Sequence, residues 1–187
     1  MILRFFRRND GRKTIQRLYG AIVACSRDPV FYASYQVPDT IEGRFEMILL
    51  HAFLLFHRLK AEDEDRRELG QRVFDAFCVD MDANLREMGV GDLSVPKKMK
   101  RVAEAFYGRV GSYDAALAMP DNAALAEAVL RNVYGSNPDR AAEAGALAAY
   151  IRRAAAMLTT IPFATFAAGE LPLPAARQPE FEESVTP

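Results

Sequence analysis

"DMDANLREMGVGDLSVPKKMKRVAEAFYGR", residues 80–109, decides the fold because its apparent signals demand incompatible backbones. Asp80, Asp82 and Asn84 occupy the first three ligand positions of a calcium loop. Leu85 then stands where that loop needs a glycine, and Gly91 where it needs a bidentate glutamate. Phe77, Met81, Leu85 and Met88 recur at helical spacing through the same residues. A calcium loop is thereby excluded, and Asp82 becomes the one-turn neighbour of Arg86. Gly89 sits where a left-handed C-cap is wanted, while Ser94 and Pro96 mark the start of a second helix. Met99, Val102, Ala103 and Phe106 give that helix its inner face. The stretch is a helix, the turn GVGD, and another helix.

Working outward, the apolar stripe of the first of these helices reaches back through Phe74 and Val73 to Leu69. The charged run AEDEDRRELGQR before it reads as a solvated helix start, with Glu62–Arg66 and Asp63–Arg67 as helix-neighbour pairs. Upstream, Asp39 followed by Glu42 resembles a capping box for a helix that runs to about Lys60. That helix is apolar nearly all round and is therefore central. Ile15, Leu18, Tyr19 and Ile22 predict a first helix from about Thr14 to Ser26, stopped by Asp28-Pro29. VFYASYQ, residues 30–36, is read as a helical turn or a short strand. Downstream, a break near Gly108–Gly111 precedes helices over about Asn122–Tyr134 and Asp139–Thr160, and a last apolar segment runs from Ile161-Pro162 to about Ala168. The expectation is a basic flexible N-terminus (1–13), one compact all-α domain of six to nine helices (14–168) and a disordered tail containing Pro and Glu (169–187).

The chain has 187 residues, half of them apolar and 26% charged, with no Trp and a net charge of −1. This is globular composition, and its neutrality supplies no global field to recruit nucleic acid or an anionic membrane. The charge is unevenly spread. Residues 1–13 carry five basic groups against Asp10, and residues 95–109 carry Lys97, Lys98, Lys100, Arg101 and Arg109 against Glu104. From Glu170 onward four Glu face only Arg177. MILLHAFLLF, the longest apolar run, is about half the ~20 residues a membrane span needs. The N-terminal MILRFFRR has no signal-peptide pattern; it reads as a frayed terminus or as a short membrane-touching segment.

The usual catalytic signatures are missing. His51 and His57 are the only histidines, and a spacing of six places them on different helix faces, unlike HExxH. His51 lies among leucines and Phe53, as a core or groove histidine would. No phosphate loop, nucleophile elbow or CxxC occurs, and Cys25 and Cys78 read as reduced thiols. KKMKR supports two readings: a solvated basic face, or an anion contact through Lys97, Lys98 and Arg101. Specific DNA reading lacks a helix-turn-helix pattern.

The strings DPVFYASYQVPDTIEGRFEMILLHAFLL (28–55), FDAFCVDMDANLREMGVGDLSVPKKMKRVAEAFYGR (74–109) and the following Tyr113 closely resemble the ubiquinol–cytochrome c chaperone family over about residues 15–155. The resemblance implies an all-helical, non-enzymatic assembly chaperone with no metal and no cofactor, whose client is newly made, apo cytochrome b. The ribosome, a small partner subunit and the cytoplasmic face of the inner membrane stand as open further contacts. The motifs begin close to the N-terminus, which leads to the expectation of a bacterial, cytoplasmic protein. Client contacts are expected among Arg44, His51, Arg86, Glu87, Val90, Asp92, Leu93, Lys97, Lys98, Arg101, Tyr107 and Arg109. Arg86, Glu87 and Asp92 fit equally well as residues that tie the GVGD turn. The alternative function, from the basic patch at 97–101, is an RNA- or ribosome-associated factor.

Overall fold

Leu49, Leu50, Phe53, Leu54 and Leu55 are wholly buried on one helix, α3 (Ile41–Leu59), and the other elements pack around it. The computed structural model describes residues 2–179 and contains no strand among them. In chain order the elements are α1 (Ile2–Ser26), α2 (Pro29–Ala33), α3, α4 (Glu64–Glu87), α5 (Val95–Leu117), α6 (Ala123–Val133), a 3-10 turn (Pro138–Arg140), α7 (Ala141–Thr159) and α8 (Phe163–Ala167). The all-α expectation holds, and α3 is central as its all-round apolarity requires.

Local chemistry explains where the elements begin and end. Thr40, not Asp39, caps α3, its hydroxyl accepting from the Gly43 amide at 3.1 Å. A side chain at Gly43 would overlap the Pro38 carbonyl, so the chain can fold back on the helix start only through glycine. Asp63 caps α4 by accepting from the Arg66 amide at 3.0 Å and so does not pair with Arg67; Glu62 does pair with Arg66. Gly70 lets α4 close on α3, since a Cβ there would lie 3.2 Å from the Phe56 ring. At the other end Gly89 has φ +79°. Its amide bonds the Arg86 carbonyl at 2.9 Å and the Val90 amide bonds the Leu85 carbonyl at 3.0 Å. This is the Schellman arrangement expected of a glycine C-cap.

Four further expectations need correction. Helix α1 begins at Ile2, twelve residues before Thr14, so residues 2–13 of the expected flexible N-terminus are helical. Residues 30–33 belong to the helical turn α2, whose Asp28 cap accepts from Val30 N at 3.0 Å, which removes the strand alternative. Helix α5 passes through Gly108 and Gly111 unbroken. Each glycine weakens a helix by about 1 kcal/mol, but Phe106 on one side and Tyr113 and Ala116 on the other are buried, and hold both halves to the core. Residues 170–179 form no regular element, yet Leu171 is buried and Leu173 and Ala176 pack on the core. This part of the expected tail is therefore held on the domain; residues 180–187 lie outside the described residues.

The C-terminal ends of α3, α5 and α7 meet, which brings together carbonyls left without helical partners. Two arginines satisfy them. Arg58 donates to the Leu158 carbonyl at 2.9 Å and to that of Ile161 at 3.0 Å. Arg152 donates to the Leu117 carbonyl at 3.2 Å and to the Asn122 side chain at 2.6 Å.

Candidate functional site

The α4–α5 hairpin carries two surface features at opposite ends. Near its base, Phe74 on α4 and Phe106 and Tyr107 on α5 bring their rings within 4.7–5.6 Å of one another. With Phe56, Gly70, Gln71 and Val110 they line a shallow groove of about 160 Å³. Phe106 is the buried floor and Tyr107, 60% exposed, the wall. The groove exists because Gly70 contributes no side chain and because α5 repeats an aromatic at successive positions, one turned inward and one out.

At the apex the joint between the helices presents Met88, 61% exposed, and Leu93, 99% exposed. Arg86 fixes this joint: it hydrogen-bonds Asp82 within α4 at 2.6 Å and also Asp92 across the turn. Arg86 and Asp92 thus tie the turn, which is one of the two roles the sequence left open for them. Hydrogen bonding to Asp82 raises the affinity of the Arg86 guanidinium for its proton above the ordinary value. Val90 is half-buried and Glu87 exposed. Lys97, Lys98 and Arg101 are exposed and make no ion pair among the described residues, whereas Lys100 lies 3.7 Å from Glu104.

Three expected contact residues lie elsewhere. His51 is fully buried, which removes it from the surface. Its Nδ1 donates to the Met47 carbonyl at 2.8 Å, so Nε2 accepts from the Tyr150 hydroxyl at 3.2 Å, and the ring is neutral. Burial pushes its pKa down to about 4. Arg109 is partly buried and donates to both oxygens of the buried Glu46 carboxylate, at 2.6 and 3.1 Å. It is a structural tie between α3 and α5. Arg44 pairs with Asp39 at 2.6 Å and lines a separate depression with Arg27 and Tyr32.

One cluster was not foreseen. His57 Nδ1 lies 2.6 Å from one oxygen of Asp114, and Lys60 donates to the other at 2.8 Å. Burial works to raise the pKa of Asp114, but the bonds from Lys60 and His57 hold the carboxyl below its ordinary range. The basic pair is visible in the last turn of α3; its partner, more than fifty residues away, has no local signal. Both nitrogens serve the same carboxylate, and the neighbouring Leu117, Ala155 and Ala156 line a depression of about 430 Å³. The group braces the meeting helix ends. Among the described residues no group of three His, Cys, Asp or Glu could hold a metal ion, and no helix is long and apolar enough to cross a membrane.

Fold and surface together define an all-helical single-domain protein whose polar side chains tie helices to one another and whose α4–α5 edge exposes apolar and cationic groups. Comparison with known proteins then places it. The model of the family described as "Ubiquinol-cytochrome C chaperone" matches residues 33–174, and the chain belongs to that family. It is similar to the Cbp3 homolog from Brucella abortus, a crystal structure with a TM-score of 0.85 and 42% identity, over 96% of this chain and 100% of that one. It is also similar to ubiquinol-cytochrome-c reductase complex assembly factor 1 of Xenopus laevis, 23% identical over 78% of this chain and 72% of the relative. The protein of the same name in Drosophila melanogaster is 27% identical over 80% of this chain but 59% of the relative. For that of Mus musculus, only 46% of the relative's length is covered.

Proposed function

We propose that the protein is a non-enzymatic chaperone in the biogenesis of ubiquinol–cytochrome c reductase, and that it holds newly made cytochrome b through the groove between α4 and α5. The observation that carries this reading is the Phe74–Tyr107 groove: an aromatic wall left exposed on a domain that belongs to a chaperone family. A membrane-protein client presents apolar helix faces, and an amphipathic or apolar helix docks in an aromatic groove by burying side chains at helical spacing. Tyr107 adds a hydroxyl that stays wet while its ring is covered. The joint residues Arg86, Glu87, Val90, Asp92 and Leu93, and the cations Lys97, Lys98 and Arg101, lie beyond the groove at the other end of the same hairpin. The protein works at the cytoplasmic face of the inner membrane, where such a client emerges.

Deletion of the gene tests the reading. Cytochrome b and reductase activity are expected to fall together and to return with the wild-type gene. A photo-crosslinker at Tyr107 should capture cytochrome b, whereas one on the far side, at Glu127 of α6, should not. Normal reductase levels in the deletion strain would remove the assembly role; normal assembly with a Tyr107→Ser protein and no crosslink at 107 would remove the groove.

A further inference from the structure

We infer that the α4–α5 joint is a membrane-contacting apex: Leu93 and Met88 enter the interfacial layer of an anionic bilayer while Lys97, Lys98 and Arg101 meet its lipid phosphates. The exposed side chains of this joint, unlike the Gly89 turn and the Arg86 bonds beneath them, contribute little to the fold. Leu93 is 99% exposed, so its side chain touches almost nothing of its own chain. The first turn of α5 holds no acidic residue, and its lysines stand at the positive end of the helix dipole, where cations are unfavourable. Over residues 86–101, five basic groups face Glu87 and Asp92, a net of +3 on a chain whose total is −1.

The shape selects the partner. A convex apex with an isolated leucine at its tip needs a partner that envelops it. A bilayer interface deforms to do so, whereas a folded protein would need a pocket matched to it. Apolar side chains flanked by Lys and Arg are the composition of interfacial anchors, in which charge and burial act together. RNA fits less well, because residues 86–101 contain no aromatic side chain on which a base could stack. The apex is also preformed, since the Gly89 turn and the Arg86 bonds to Asp82 and Asp92 hold it in place. Tyr107 lies thirteen residues along the chain from Ser94, about 20 Å up the helix axis. Membrane contact at the apex therefore leaves the groove open, and the inference does not depend on the identity of the client.

Vesicle flotation of the purified full chain, with no client present, tests it. Binding is expected to vesicles of phosphatidylcholine mixed with phosphatidylglycerol and to be much weaker to phosphatidylcholine alone, and to weaken as salt rises. Neutralising Lys97, Lys98 or Arg101 to Gln should each weaken binding about fivefold. Leu93→Ser should weaken it about tenfold, and Leu93→Phe should preserve it. Thermal unfolding should not be lowered in any of these proteins, because the residues are exposed and the lysines stand at the unfavourable end of the α5 dipole. The inference is overturned if the wild type does not float with anionic vesicles at physiological ionic strength, or if binding survives both Leu93→Ser and the triple charge change. Transfer RNA binding that depends on the cations but not on Leu93, without vesicle binding, would assign the patch to RNA instead.

Discussion

Arg109 on α5 grips the buried Glu46 carboxylate of α3 with two hydrogen bonds, at 2.6 and 3.1 Å. The pair joins the central helix to the one that carries the groove. Removing Arg109 strands a carboxylate in an apolar wall, and loss of one partner of a buried pair is far worse than loss of both. Arg109→Ala should destabilise by about 2–4 kcal/mol, the lower part of the range reflecting the partial exposure of the arginine. The double change Arg109→Met with Glu46→Leu should recover much of that loss. Urea unfolding of the single and double variants reads both.

His51 makes stability depend on pH in the mildly acid range. Its folded pKa is about 4, below the ordinary 6.5, because burial opposes the charged ring. Between those values the unfolded chain binds a proton that the folded chain does not, so stability falls as pH falls. The contribution is complete above 6.5, is lost progressively down to about 4, and amounts to about 3 kcal/mol. A His51→Gln variant should flatten the stability curve in that window, whatever its effect at neutral pH. Asp114, held below its ordinary range by Lys60 and His57, acts the same way further down. Its contribution is present above the usual carboxylate pKa and is lost as pH drops through the lowered one.

The helices were legible where a periodic stripe met a clear stop. The Leu69–Met88 stripe ended by Gly89 gives the end of α4 almost to the residue, and Pro96 gives the start of α5. The break at Gly108–Gly111 was misread because glycine's local preference is visible in sequence while the burial of Tyr113, which overrides it, is not. The start of α1 was misread because residues 1–13 show no apolar period. For the surface, the exposed tip at Leu93 follows from its place in a turn, but the burial of His51 depends on Tyr150, ninety-nine residues away. Of two equally polar arginines in one motif, Arg86 stays in water and Arg109 turns inward. Arg86 has carboxylate partners close by in sequence, Asp82 and Asp92, whereas the partner of Arg109, Glu46, lies 63 residues away.

Gly43 is a position where one methyl group should matter more than its size suggests. Its absent side chain leaves room for the Pro38 carbonyl, which belongs to the backbone and cannot swing aside. Gly43→Ala should destabilise by about 3 kcal/mol or more, the upper end of overpacking changes, despite alanine's better helix propensity. The matched control is Gly108→Ala on α5, where nothing lies within 4 Å of the added methyl. That change should stabilise by about 0.5–1 kcal/mol. Opposite shifts in melting temperature for the two proteins are the expected result, and equal shifts would mean that the α3 start relaxes around the clash.

Arg58 is expected to be the most sensitive residue at the opposite end of the domain from the proposed apex. Its guanidinium donates to the Leu158 and Ile161 carbonyls and to Glu62, and lies 5.4 Å from the centre of the Phe166 ring. It therefore closes α7 and orients the turn into α8. Arg58→Met keeps the aliphatic stem but removes every donor, leaving the helix-end carbonyls without their partner. The expected loss is about 2–4 kcal/mol, since bonds from a charged donor are worth about 1.5–3 kcal/mol each and water recovers part of it. Arg58→Lys should fall between, because one ammonium cannot span both carbonyls as the planar fork does. Hydrogen exchange distinguishes this account from general loosening. Amides of residues 160–169 should lose protection first in Arg58→Met, while those of α4, on the far side of α3, should follow only the global change.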